Sequence, residues 1–309
     1  MPAILREVRG CPATAAVFVG PRQVLQESLL MPSRLSLFAR AGAFEKRTEL
    51  RIPGLASCIG AGGSLLRKHY HVLVDALPRL YWLQQLPAAE IAALTLCVSH
   101  QLGRYEDLLR ALLPVGVQLR YVDDDCWIAA DRYLLLPQLS MSSCGALPVG
   151  YTAQLQAFGA RFAGMTGQPA RRRLFISRQQ ASMRRISNFD QLAPLLQAHG
   201  VEVVALETLS VAAQAALFHA AELVISAHGA GLSNLLFASS ARVIELAAAE
   251  PRPHYRCLCT AMGHDYRSVV VHDGGKNDDF ELPSARLAAL LKELDEEPAK
   301  PIRTQASSA

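Results

Sequence analysis

The chain has 309 residues, 51% of them hydrophobic, which is enough to pack the cores of two ordinary domains and excludes a disordered chain. Its net charge of +4 suits an anionic ligand or a membrane surface and is too small to argue for nucleic acid. Residues 1–60 give little periodicity beyond a strand over Ala15–Val19 and a small-residue loop over Gly54–Gly63. From Tyr70 to Gln85 the pattern is helical. Val72, Ala76, Leu80 and Leu83 share one stripe, and His71, Asp75 and Arg79 lie one turn apart on another face. Pro78 has no N–H for the Val74 carbonyl, so the helix is expected to kink near Asp75. A strand over Ala92–Ser99, a helix over Tyr105–Leu113 and strands over Val115–Val122 and Trp127–Pro137 suggest a first open-sheet domain. The loop composition of Ser140–Pro148 marks the exit, and Tyr151–Ala163 is a connecting helix.

The second half alternates strand and helix. Strands are expected at Arg173–Ser177, Val201–Leu206, Leu223–Ser226, Arg242–Leu246 and Tyr266–Val271. Ser187/Asn188 is expected to cap a helix ending at His199-Gly200, and Ser210 one ending at Ala220. Helices Tyr255–Met262 and Ser284–Leu294 follow, then a polar tail expected to be disordered. Five strands separated by helices make a doubly wound parallel sheet. The domains are expected at 1–150 and 151–298, with the tail at 299–309.

The seven cysteines are scattered, and Cys257 and Cys259 are too close together for zinc ligands, so free thiols in a reducing cytoplasm are expected. The first thirty residues lack the apolar core of a secretion signal, and no apolar run approaches the length that spans a bilayer. Any membrane association is expected to be peripheral.

The chemistry converges on the run Leu223–Phe237. A short apolar strand is broken by His228-Gly229-Ala230-Gly231 and followed by helix. Such a turn either presents free N–H groups to a phosphate or is a close-packed βα turn with no ligand. Six arginines (171, 172, 173, 178, 184, 185) lie between Gln168 and Ser187 with no carboxylate among them. They read as a solvated face or as a phosphate site, with Arg178 at the carboxyl edge of its strand, where open α/β sheets bind ligands. Asp123-Asp124-Asp125 reads as a solvated loop or a cluster for a divalent cation.

Taken in order, Arg173-Leu-Phe-Ile-Ser-Arg178, Arg184-Arg-Ile-Ser-Asn188, Gln214, His228-Gly-Ala-Gly-Leu-Ser-Asn-Leu-Leu-Phe237 and Ile244-Glu-Leu246 resemble glycosyltransferase family 61, whose bacterial members include capsular polysaccharide biosynthesis proteins. His71-Val-Leu-Val-Asp75-Ala-Leu-Pro-Arg-Leu80 is similar to an earlier motif of that family, although Arg67-Lys68 departs from it. The resemblance implies a GT-B-like fold of two Rossmann-like doubly wound α/β domains facing a cleft. It further implies a nucleotide-sugar donor, UDP-linked, inversion at the anomeric carbon, and no metal or other cofactor. The partners implied are this donor and a glycan or lipid-linked acceptor, with no nucleic acid, in the cytoplasm or at the inner face of the membrane. Arg178, Arg185, His228, Gly229, Ala230, Gly231, Asn234 and Glu245 are then the expected donor-binding residues. Glu245 is a ribose ligand or a structural carboxylate, and His228 a phosphate contact or a brace for the turn. His71 and Asp75 are the expected catalytic pair, base and orienter in either order, unless Asp75 simply pairs with Arg79. Two other readings remain. One is an NAD(P)-dependent oxidoreductase on the Gly229/Gly231 turn, weakened by the missing third glycine. The other is an inactive glycan-binding assembly subunit.

Overall fold

The structure is a computed structural model that describes residues 1–19, 23–28, 48–60, 63–139, 147–163, 171–271 and 274–296. The tail expected at 299–309 and most of the loop at 140–148 lie outside these. The chain forms two compact units, Met1–Gln154 and Leu155–Ala309, and the boundary falls inside the helix Val149–Ala163. Among the described residues no helix is long and apolar enough to cross a membrane.

The first unit is built on β1 (Ala3–Leu5), β2 (Val8–Gly10), β3 (Val17–Val19), β4 (Gln23–Val24), β5 (Thr48–Ile59), β6 (Leu94–Ser99), β7 (Gln118–Val122) and β8 (Cys126–Leu135). The sheet order is β4-β3-β2-β8-β5-β6-β7, with β1 also on β8. Strands β8, β5, β6 and β7 are mutually parallel. The others add antiparallel pairs, so this sheet is mixed rather than doubly wound throughout. Strands of two or three residues are too short to show a two-residue period, which is why residues 3–24 resist reading. Strand β5 shifts register between Ile52 and Leu55, where Pro53 cannot donate to a neighbour and Gly54 takes φ +77°. Beyond that irregularity Leu55–Ile59 is buried throughout, between β6 and β8.

The crossover from β5 to β6 carries the first candidate site. Its helical stretch starts as α-helix at His69–His71, widens to a π-turn at Val72–Ala76 and tightens to 3₁₀ at Leu77–Gln85. Leu77 N–H bonds to the Val72 carbonyl, an i→i+5 step, just before Pro78 removes a donor from the ladder. Side chains take up carbonyls nearby: Tyr151 Oη–H donates to Leu73 (2.6 Å) and Gln138 Nε2–H to Asp75 (3.1 Å). The irregularity expected at Pro78 is therefore a change of helix type, centred on Asp75.

The second unit has β9 (Arg172–Ile176), β10 (Glu202–Val204), β11 (Ala221–Ala227), β12 (Arg242–Ala247) and β13 (Asp265–Val270), all parallel in the order β10-β9-β11-β12-β13. Its core runs through Phe175, Ile225, Ile244, Leu246, Leu287 and Leu291. Ser210 caps its helix by accepting from Ala213 N–H (3.1 Å). Asn188 stands at the cap position of Phe189–Ala198 but makes no side-chain cap. Its amide instead pairs with both backbone groups of Leu282, a partner 94 residues away. The strand order reverses between β9 and β11, and open α/β sheets bind ligands outside the carboxyl ends at such a point. Arg178 follows β9 there, and His228-Gly229 follows β11.

Candidate active site

In the second unit, β11 ends at Ala227, and Ala230–Phe237 then forms a 3₁₀-helix. Its first bond runs from Leu232 N–H to the Gly229 carbonyl (3.0 Å), so the N–H groups of Ala230 and Gly231 have no acceptor within the helix. Against this turn lies Arg178. A Cβ on Gly229 would sit 2.1 Å from Arg178 Nη1, so the missing side chain is what admits the guanidinium. Arg178 donates from Nη2 to the Met183 carbonyl (3.0 Å), while its buried Nε–H has no partner among the described residues. Burial, and then the neighbouring Arg184, hold its affinity for a proton below the usual arginine value.

The six arginines separate by their partners. Arg171, Arg172 and Arg173 pair with Glu222, Glu202 and Asp295, and Arg185 is held in two-pronged fashion by Asp279. Arg185 is therefore already neutralised, contrary to its expected freedom for a diphosphate: the carboxylate absent from its sequence neighbourhood arrives from 94 residues away. Arg184, passed over in the sequence, takes φ +57° and bonds from its N–H to the carbonyl of Asn277, itself at φ +64°. Its side chain lies 3.6 Å from Asp278 and reaches the His228 carbonyl at 3.5 Å. Left-handed non-glycine residues of this kind concentrate at functional sites. For Arg178 there is no ion-pair partner among the described residues.

Three other expected donor residues serve the turn itself. Asn234 is fully buried and donates to Gln214 Oε1 and the Gly231 carbonyl, both at 3.0 Å, while Gln214 donates to the carbonyls of Leu206 and Leu209. A Cβ on Gly231 would meet Leu206 and Ile176, so that glycine answers to packing rather than to a ligand's approach. Glu245 is fully buried, with one oxygen facing His228 Nδ1 and the other accepting from Tyr266 Oη–H (2.5 Å). Its two oxygens are taken by His228 and Tyr266, and the His228 ring also meets the Tyr255 ring edge-on at 5.2 Å. Tyr266, which no sequence motif singled out, has its hydroxyl proton held more tightly than usual by burial and then by Glu245.

The first unit repeats the arrangement. His71 Nδ1 lies 2.6 Å from Asp75 Oδ2, with the His71 side chain 16% exposed and that of Asp75 at 0%. Nδ1–H donating to the carboxylate leaves the Nε2 lone pair as the reactive atom. Of the two side chains, only the imidazole reaches the surface. Arg79, also fully buried, donates to the carbonyls of Leu136 and Ser28 (both 3.0 Å), and burial lowers its pKa to about 10 against the pull of Asp75. In the loop between β7 and β8, Asp123 and Asp125 are exposed, Asp123 lies near His100, and Asp124 accepts from Gln101.

Each unit thus holds a histidine backed by a buried carboxylate, and the second also holds, among the described residues, a guanidinium without an ion-pair partner at its sheet's switch point. Residues 69–244 match the model of the family Glycosyltransferase 61, and the chain belongs to that family. It is a glycosyltransferase, with a sugar donor and an acceptor as substrates, and this membership displaces the oxidoreductase reading. No curated protein matches the chain closely enough to add to this.

Proposed function

We propose that the enzyme is an inverting, metal-independent glycosyltransferase of GT-B-like organisation, serving capsular or extracellular polysaccharide synthesis on the cytoplasmic side of the membrane. Its donor is a nucleotide diphosphate sugar, UDP-linked, and its acceptor a glycan or lipid-linked glycan. The observation that carries the donor reading is Arg178: a half-buried cation with no carboxylate partner among the described residues, beside Arg184, at the switch point and against Gly229. Two guanidinium groups repel each other there, and a diphosphate relieves that repulsion. In this reaction the acceptor oxygen attacks the anomeric carbon as His71 Nε2 takes its proton. The bond from that carbon to the diphosphate oxygen breaks on the opposite face. Arg178, Arg184 and the N–H groups of Ala230 and Gly231 receive the charge that a metal would otherwise carry. His228, aligned by Glu245 and Tyr266, presents Nε2 to the same phosphates.

Calorimetric titration of UDP in the presence of EDTA tests this. Arg178→Ala should weaken binding about 10- to 150-fold, the loss of a hydrogen bond to a charged partner. Arg178→Lys should recover part, because a point charge cannot make the two-pronged contact. Gly229→Ala should mimic Arg178→Ala at little cost to folding, since its φ of 177° suits any residue and only the guanidinium must move. Unchanged UDP affinity in folded Arg178→Ala, or binding that requires Mg²⁺, overturns the donor reading. Binding without turnover on any donor would instead mark an assembly subunit.

A further inference from the structure

We propose that the acceptor carries a phosphate, bound beside His71 by Arg67, Lys68 and Arg104; this rests on the reading of His71 as the acceptor-side base. These cations come from two segments that the contact between His69 and Tyr105 joins. Arg67 and Lys68 directly precede His69, whose Nδ1 lies 2.8 Å from Tyr105 Oη with the two rings stacked at 5.7 Å. Arg104 lies over that same Tyr105 ring at 5.4 Å. Lys68 leads directly into the helical stretch, its carbonyl accepting from Val72 N–H (3.2 Å), so the patch stands within one turn of His71 along the chain.

All three are exposed, and none has an ion-pair partner among the described residues. Like charges on two joined segments, with no carboxylate paired to them among the described residues, repel, and an anion removes that repulsion. Arg104 is also held in place by its aromatic ring, which lowers the entropy lost on binding. A phosphate here would hold the acceptor by a group that does not react, leaving a sugar hydroxyl to face His71. The phosphate could be borne by a lipid chain or by a soluble sugar, and the chemistry of recognition is the same.

The test titrates octyl phosphate, inorganic phosphate and the neutral octyl glucoside into the full chain, into R67E/K68E/R104E and into Arg178→Ala. Octyl phosphate should bind the wild type and weaken roughly 10-fold or more in the triple variant while persisting in Arg178→Ala. Octyl phosphate binding tighter than inorganic phosphate supports a lipid-borne acceptor, and equal binding a soluble one. Octyl phosphate affinity that is unchanged in the triple variant, or lost in Arg178→Ala alone, overturns the proposal. Binding only to phosphatidylglycerol vesicles, with none to octyl phosphate, makes the patch a membrane contact and also overturns it. If the triple variant does not fold, salt dependence in the wild type decides: octyl phosphate binding that fails to weaken between about 50 and about 300 mM salt sinks the idea. The underlying readings fail separately, since UDP titration of Arg178→Ala reports on the donor site and turnover by His71→Ala on the base.

Discussion

At the scale of single residues, the two histidines are defined by what stands behind them. An imidazole whose Nδ1 is committed to a buried carboxylate has only Nε2 to offer a substrate, and the carboxylate fixes which tautomer does so. His71→Ala should therefore reduce turnover about 10²- to 10⁴-fold with UDP affinity unchanged. Asp75→Asn should lose turnover as well, because an amide in that position can donate to Nδ1 and leave the proton on Nε2. The two variants should differ in stability. Removing the charge of Asp75 leaves the buried Arg79 less compensated, so Asp75→Asn should melt at a lower temperature, whereas the partly exposed His71 can be truncated at little cost. Wild-type rates in both would place the base elsewhere. The pairing of His71 with Asp75 was legible as four-residue spacing. The burial that distinguishes Asp75 from His71 was not, because periodicity says which face a residue occupies and not how deeply that face is covered.

At the scale of elements, the stretch from His69 to Gln85 shows how a local conflict is settled by distant partners. Pro78 inside an α-helix would cost about 3 kcal/mol. The chain accommodates it with a π-turn and a 3₁₀ segment, and Tyr151 and Gln138, more than sixty residues onward, cover the carbonyls of Leu73 and Asp75. Tyr151 is fully buried, and burial holds its hydroxyl proton well above the usual range, so it stays a donor. Tyr151→Phe keeps the ring and removes only that hydrogen bond, leaving a buried carbonyl short of a partner at a cost of about 1–3 kcal/mol. The variant should lower the urea midpoint of the first unit and reduce turnover more than UDP affinity, since Asp75 rides on the π-turn. A midpoint equal to wild type would mean that the Leu73 carbonyl is satisfied without Tyr151.

At the scale of the whole molecule, each unit closes its own core, and the second has a pH dependence of its own. His264 is buried between backbone groups, its Nδ1 accepting from Ala241 N–H (3.3 Å) and its Nε2–H donating to the Leu235 carbonyl (2.9 Å). Burial lowers its pKa below the ordinary value, so the neutral ring is the native form. The unfolded chain then binds the extra proton first. The contribution of this histidine is fully present above an unfolded pKa of about 6.5 and is lost as the pH falls through the native value. His264→Asn should be less stable at neutral pH yet show a shallower loss of melting temperature from about pH 6.5 downward. Parallel pH profiles for wild type and variant would show that other groups set the slope.

The ordered motifs from His71 to Leu246 sufficed to read the family from the amino-acid sequence, and the strand–helix alternation after Arg172 is local enough to be read there too, since each element is specified by its own period and caps. Arg178 and the glycine turn were legible for the same reason, both following recognisable strands. What the sequence could not supply were contacts closed by the fold across long separations. Asp279 neutralises Arg185 and Leu282 engages Asn188, each from 94 residues away, while Tyr266 and Glu245 converge on His228 through neighbouring parallel strands. The residue types at these positions allow either a ligand contact or a structural bond. Only the tertiary arrangement, by burying Glu245 and Asn234 completely while leaving Arg178 without a carboxylate partner among the described residues, decides which group has its hydrogen bonds already made and which still has a charge to share.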